Sequence, residues 1–194
     1  MRLPADQRRL QLLEVALDRF SEQGFHATSM DEIAEAAGVT KPVLYQHFPS
    51  KRALYVELLE DTGRIMLTTL AEATGRAETA RERVEVGFRA YFNFAVENRP
   101  AFRLLFLTAR TDPEFARIVE EILEAAAQVI STLIYIDQAT PEQRLVIASA
   151  LVGMAEGVSR RTLQHPEGRS DAEQLAQWTS ELAYFGLRGV RTAH

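Results

Sequence analysis

Between Ser29 and Ser50 the chain starts and stops two short helices, and this punctuation limits its fold more than any other feature. Ser29-Met30-Asp31-Glu32 reads as a capping box, with Ser29 at the N-cap and Glu32 at N3, a pairing that satisfies two orphan backbone donors at once. Ile33, Ala34 and Ala37 mark the inner face of the helix it opens. Gly38-Val39-Thr40 makes a tight turn, and Thr40 can cap a second helix over residues 41–48. Pro42 falls in its first turn, where no backbone N–H is needed. Pro49 stops it, and Ser50 caps a longer helix expected over residues 51–74.

Two short helices joined by a glycine-containing turn match the helix-turn-helix pattern. In the second, Leu44 and Phe48 lie four apart and point inward with Val39 nearby. Pro42, Val43, Tyr45 and Gln46 then point outward. Such a surface makes little sense in water alone. It suits a DNA major groove, where apolar groups meet thymine methyls and glutamine reads adenine.

The remaining periodicity is helical nearly throughout. Leu10, Leu13, Leu17 and Phe20 mark a first helix over residues 6–23, with Gly24 where a left-handed C-terminal residue is common. Val84, Phe88, Tyr91, Phe92 and Ala95 define another over residues 79–98. Residues 100–108 are short and very apolar. Asp112 caps a helix with Pro113 at N1, expected to end near Ile136, and Thr140-Pro141 opens the next, over residues 140–164. A last helix covers residues 170–190, after a plain loop at residues 165–170. The expected fold class is all-α.

Composition narrows the chemistry. The chain has no cysteine, so disulfides, thiolate metal sites and thiol nucleophiles are excluded. Its start lacks the apolar core of a secretory leader, and Glu124, Gln128 and Glu156 interrupt the longest apolar stretches, so a cytoplasmic protein with no membrane partner is expected. None of the four histidines has Glu three residues before it, and no phosphate-binding glycine loop or nucleophile elbow occurs, so neither an enzyme nor a cofactor is expected. The net charge of −5 would not by itself suggest nucleic acid. Residues 53–194 carry that excess, because residues 1–52 hold seven basic and seven acidic side chains.

The run Thr40-Lys41-Pro42-Val43-Leu44-Tyr45-Gln46-His47-Phe48-Pro49-Ser50-Lys51, preceded by Met30-Asp31-Glu32-Ile33-Ala34, resembles the DNA-binding domain of the TetR family of transcription regulators. The likeness spans residues 7–60. More narrowly, TKPVLYQHF, RLPADQRR and LVGM are similar to an actinobacterial branch that controls lipid synthesis in response to long-chain acyl-CoA. The resemblance implies a DNA-binding domain over residues 1–52 and a helical effector-binding and dimerisation domain over residues 53–194. It implies phosphate contacts from Thr28, Tyr45, His47 and Lys51, and groove contacts from Thr40, Lys41, Pro42, Val43 and Gln46. Hydroxyls and a cation suit phosphate oxygens. Plainer readings stay open: Tyr45 as a ring packed on the first helix, His47 as a helix C-terminal residue, Lys51 as a solvated charge. Arg2, Arg8 and Arg9 are further candidates for backbone contacts.

The late helices read as an association surface. Gly153 and Gly157 are small residues at four-residue spacing, with Ala148 and Ala150 before them, and Leu182 and Phe185 lie on the last helix. In the family these helices pair with their symmetry mates, which implies a homodimer on a palindromic double-stranded operator, since one recognition helix reads too few bases. Closure of the monomer core is the plainer alternative. Tyr91, Phe92, Phe102, Leu105, Phe106, Phe115, Ile118, Ile122 and Trp178 are the candidates for an effector pocket, with core packing as the other explanation of so many rings. The resulting expectation is a regulator, by default a repressor, released by an apolar or amphipathic effector such as a fatty acyl-CoA. A helical adaptor or small-molecule carrier, using the helix-turn-helix for protein contact, is the alternative.

Overall fold

The computed structural model describes residues 4–165 and 171–189, all helix, turn or irregular chain with no strand among them. Among the described residues nine α-helices follow in order: α1 (Ala5–Ala27), α2 (Met30–Ala36), α3 (Lys41–His47), α4 (Lys51–Thr74), α5 (Ala80–Glu97), α6 (Arg99–Arg103), α7 (Pro113–Leu133), α8 (Pro141–Gln164) and α9 (Ala172–Gly189). Arg2 and most of the expected loop at residues 165–170 lie outside the described residues. No described helix is long and apolar enough to cross a membrane.

The helices divide into two compact units. The first comprises the chain to Thr62 together with Arg99–Val119. Within it, the regular turns of α1 break at the expected place, Gly24, whose φ of +80° and ψ of 172° are not helical, and a short turn to Ala27 follows the kink; a side chain there would be strained. The capping box forms as the spacing predicts: the Glu32 N–H donates to Ser29 Oγ at 3.2 Å, and the Ser29 N–H to Glu32 Oε2 at 2.7 Å. Gly38, at φ +65°, makes the turn into α3. Thr40 occupies the α3 N-cap, but its side chain makes no cap bond, contrary to expectation. Ser50 caps α4 through Ala53, and the Asp112 carboxylate accepts from the Glu114 N–H at the start of α7.

The centre of this unit is aromatic. Phe20 and Phe25 of α1 and Phe115 of α7 surround Tyr55 of α4, with ring centroids 4.5–5.1 Å from the tyrosine. The apolar segment after Asn98 is α6 followed by a π-helical turn, Leu104–Thr108, and a 3-10 turn, Ala109–Thr111. Its side chains Phe102, Leu104, Leu105 and Phe106 are buried. Each large side chain so buried contributes about 1.5–3 kcal/mol.

The second unit comprises Gly63–Asn98 and the chain from Glu120 onward. Thr79 caps α5 by accepting from the Glu82 N–H, and Thr140 and Gln143 form a second capping box at α8. Here α5 packs on both α8 and α9. The Tyr91 hydroxyl of α5 meets Ser159 Oγ of α8 at 3.1 Å, and burial pushes its phenol far above the ordinary range. Helix α7 ends at Leu133, three residues short of expectation. The apolar run Ile134-Tyr135-Ile136 leaves the helix and lines a cavity together with Leu133.

Candidate nucleic-acid interface and effector cavity

The face of α3 is set by what lies beneath it. Leu44 and Phe48 are buried to 0% and 1% exposure. Thr40, Lys41, Pro42, Tyr45 and Gln46 are exposed, and Val43 and His47 are half-buried. The division follows the wheel geometry of the sequence. Lys41 Nζ pairs with Asp31 Oδ2 at 2.9 Å, which raises the ammonium's pKa. An exposed pair of this kind is worth little, so the cation can exchange Asp31 for a phosphate at small cost.

Two of the expected phosphate contacts are otherwise engaged. Thr28 is 1% exposed, and its hydroxyl donates to the Gly24 carbonyl at 2.9 Å. It closes the end of α1 and has no surface to offer. Lys51 Nζ donates to the carbonyls of Phe25 (2.8 Å) and Thr28 (2.9 Å), and lies 4.4 Å from the centre of the Phe25 ring. A helix C-terminus leaves carbonyls without intrahelical donors, and a lysine ammonium satisfies them well. Lys51 therefore fastens the start of α4 to the end of α1. Arg9 is likewise committed, to Glu57.

Gln46 tests the remaining assignment. Gln46→Ala should relax discrimination at one base pair per half-site, costing about 1–3 kcal/mol there if the contact is bidentate. The slope of log affinity against log salt should stay unchanged, because no phosphate contact is lost. Fluorescence anisotropy on operator and scrambled duplexes at several salt concentrations measures both quantities. A changed slope with unchanged base preference would mean that the α3 face is misassigned.

The second unit holds a cavity of about 340 Å³. Its wall is built from α4 (Met66, Leu70), α5 (Val84, Phe88), α7 (Ile130, Leu133), the run to Ile136, α8 (Leu151, Ala155) and Tyr184 of α9. Of the expected pocket residues, only Tyr91 lines it. Phe102, Leu105, Phe106, Phe115 and Ile118 belong to the first unit, where the first four are fully or nearly fully buried. Phe92 is buried in the second unit, its ring stacked on Phe88 and edge-on to Tyr91. Ile122 packs on α4 at Gly63, where a Cβ would come within 2.7 Å of its Cγ2. Trp178 is 56% exposed. The overlooked signal is the small residues in its wall, half-buried Gly87 and buried Ala126 and Ala155, which leave space among large apolar neighbours.

Trp178 instead joins Leu182 and Phe185, 68% and 62% exposed, in a stripe along α9. On α8, Val146, Ala150 and Gly153 are exposed and Gly157 is half-buried, and a Cβ at either glycine would meet nothing within 4 Å. Glu156 stands 3.6 Å from Arg160 of its own helix.

Comparison with known proteins accords with this geometry. A family model for bacterial regulatory proteins of the tetR family matches residues 12–58. A second, for a tetracyclin repressor-like C-terminal domain, matches residues 80–186. The HTH-type transcriptional activator FasR of Mycolicibacterium smegmatis is 35% identical over 191 residues, covering 97% of this chain and 87% of that protein. A TetR-like regulator structure from Rhodococcus sp. RHA1 superposes with a TM-score of 0.79 at 30% identity, covering 97% of this chain and all of that one. The transcriptional regulator FadR of Bacillus subtilis, solved in complex with stearoyl-CoA, shares the fold at 17% identity and a TM-score of 0.78, covering 94% and 99% of the two chains.

Proposed function

The chain belongs to the TetR family of bacterial regulatory proteins, and from that premise we propose that it binds its operator as a homodimer and is released by a long-chain acyl effector. It is a DNA-binding transcription regulator, and the adaptor alternative gains no support. The exposed α3 face above a buried Leu44 and Phe48 carries the DNA reading. DNA contact is assigned to residues 1–52, and effector binding and dimerisation to residues 53–194.

A second copy of the chain is the partner for the α8 and α9 stripe. Three large apolar side chains exposed at helical spacing on α9, beside a row of small residues on α8, suit close pairing of two such helix pairs. Two copies then present two α3 helices to successive major grooves. The cavity suits an apolar chain, and FadR shows that this fold can hold stearoyl-CoA. Helix α4 contributes Met66 and Leu70 to the cavity and begins at Lys51. An effector that binds best when α4 is shifted would move the two recognition helices out of register. Release relieves repression if the bound protein represses, the default reading, and withdraws activation if it activates, and the relative FasR is named an activator.

Palmitoyl-CoA should raise the melting temperature and weaken operator binding by roughly 5–150-fold, the usual range of allosteric coupling. Thermal shift and fluorescence anisotropy test this. Stabilisation by small, highly charged metabolites alone would defeat the acyl reading.

A further inference from the structure

We propose that Arg83 of α5 binds the anionic end of the effector, an inference that rests on the cavity being the effector site. Among the described residues lining the cavity, Arg83 alone is charged. Its guanidinium donates to two uncharged acceptors, the carbonyls of Ala77 (3.0 Å) and Leu133 (3.4 Å). Among the described residues it forms no ion pair. An arginine in a mostly apolar and otherwise uncharged wall, held only by carbonyls, is poised for a ligand that brings its own negative charge.

The position of Arg83 sets the direction in which such a ligand lies. Leu133 is the last residue of α7, and two residues later Tyr135 lines the cavity while being 87% exposed, so the cavity reaches solvent there. Arg83 therefore stands close to the mouth. The far wall, with Leu151, Ala155 and the buried Tyr91, offers apolar surface for a chain. A single-chain amphiphile enters tail first and leaves its acid at Arg83. Of the two carbonyl bonds, the one to Leu133 is at the long end of the hydrogen-bond range, and an anionic oxygen would replace it. The bond to Ala77 would keep the guanidinium in place. Arginine's bonds to an anionic oxygen are stronger than its bonds to a neutral carbonyl or hydroxyl, and this supplies the discrimination.

The shared chemistry is a cluster of anionic oxygens on a long apolar chain, from a fatty acid carboxylate or from the phosphates of its CoA thioester. Displacement of Nile red from the full-length protein tests it with palmitate, palmitoyl-CoA and the neutral hexadecanol. In the wild type at least one anionic ligand should bind on the order of 10- to 100-fold more tightly than hexadecanol. Arg83→Gln should erase that preference and leave hexadecanol unchanged, while Arg83→Lys should keep part of it. Comparing the two anions tells carboxylate from phosphate. Equal binding of hexadecanol and both anions by the wild type would overturn the role of Arg83 and leave the cavity reading standing. So would an equal loss for all three ligands in Arg83→Gln, with Arg83→Lys behaving likewise, which would mark the arginine as a purely structural clamp. If no chain compound displaces the dye or raises the melting temperature, the effector site itself is wrong and the Arg83 assignment falls with it.

Discussion

The double variant Leu182→Glu, Phe185→Glu should be a folded monomer that has lost most of its operator affinity. Both side chains are more than 60% exposed on one face of α9, so glutamates there meet water in the isolated chain and the melting temperature should hold. In a paired face the same carboxylates would be buried without partners, at a cost of several kcal/mol for each ion. Association fails on that penalty alone. The consequence for DNA follows from linkage of two half-sites. Joining two weak binding events raises overall affinity by about 100- to 10,000-fold, and a monomer forfeits that gain. Sedimentation at micromolar concentration reports the oligomeric state, and anisotropy on full and half operators reports the affinity. The variant should bind full and half operators alike. A dimer that persists would place the interface on some other surface.

Lys51→Met should destabilise the first unit, and it separates two roles for this lysine that the sequence leaves open. The substitution keeps an apolar stem against Phe25 but removes both bonds to the carbonyls at the end of α1. Hydrogen bonds from charged groups contribute about 1.5–3 kcal/mol each, and the two share one ammonium, so a total loss of about 2–4 kcal/mol is expected. For a chain of this size that corresponds to a melting temperature lower by roughly 5–15 °C. Affinity should then fall through disorder at the α1–α4 junction, with the salt slope unchanged for the molecules that remain folded. If Lys51 instead contacts phosphate directly, the melting temperature should hold and the slope should flatten by about 0.9 per lost contact, or about 1.8 for a symmetric dimer. Calorimetry and salt-dependent anisotropy on the same samples decide between the two.

Much of the first unit is legible in the sequence because its signals are local. A capping box needs only Ser29 and Glu32 at their spacing, and it forms. The inward pair Leu44 and Phe48 follows from a four-residue repeat, and with it the outward face that includes Gln46. Helix α4 is bounded as its cap and periodicity predict. None of these features depends on what the rest of the chain does.

The cavity and the junction at Lys51 are different in kind. Sequence periodicity shows that Phe102, Phe106 and Phe115 face inward, and they do, but into the core of the first unit. Which interior a ring enters depends on the packing of helices far apart in sequence. A cavity is harder still to read, because it exists where Gly87 and Ala126 fail to fill space that larger side chains surround. Thr28 and Lys51 look like surface polar residues until the end of α1 and the start of α4 are brought together. The sequence by itself determined where helices start, stop and turn their apolar sides, since capping and periodicity act over a few residues. Only the tertiary structure decided which polar groups those helices use to hold one another and where they leave room for a ligand, since burial is a property of the assembled neighbours.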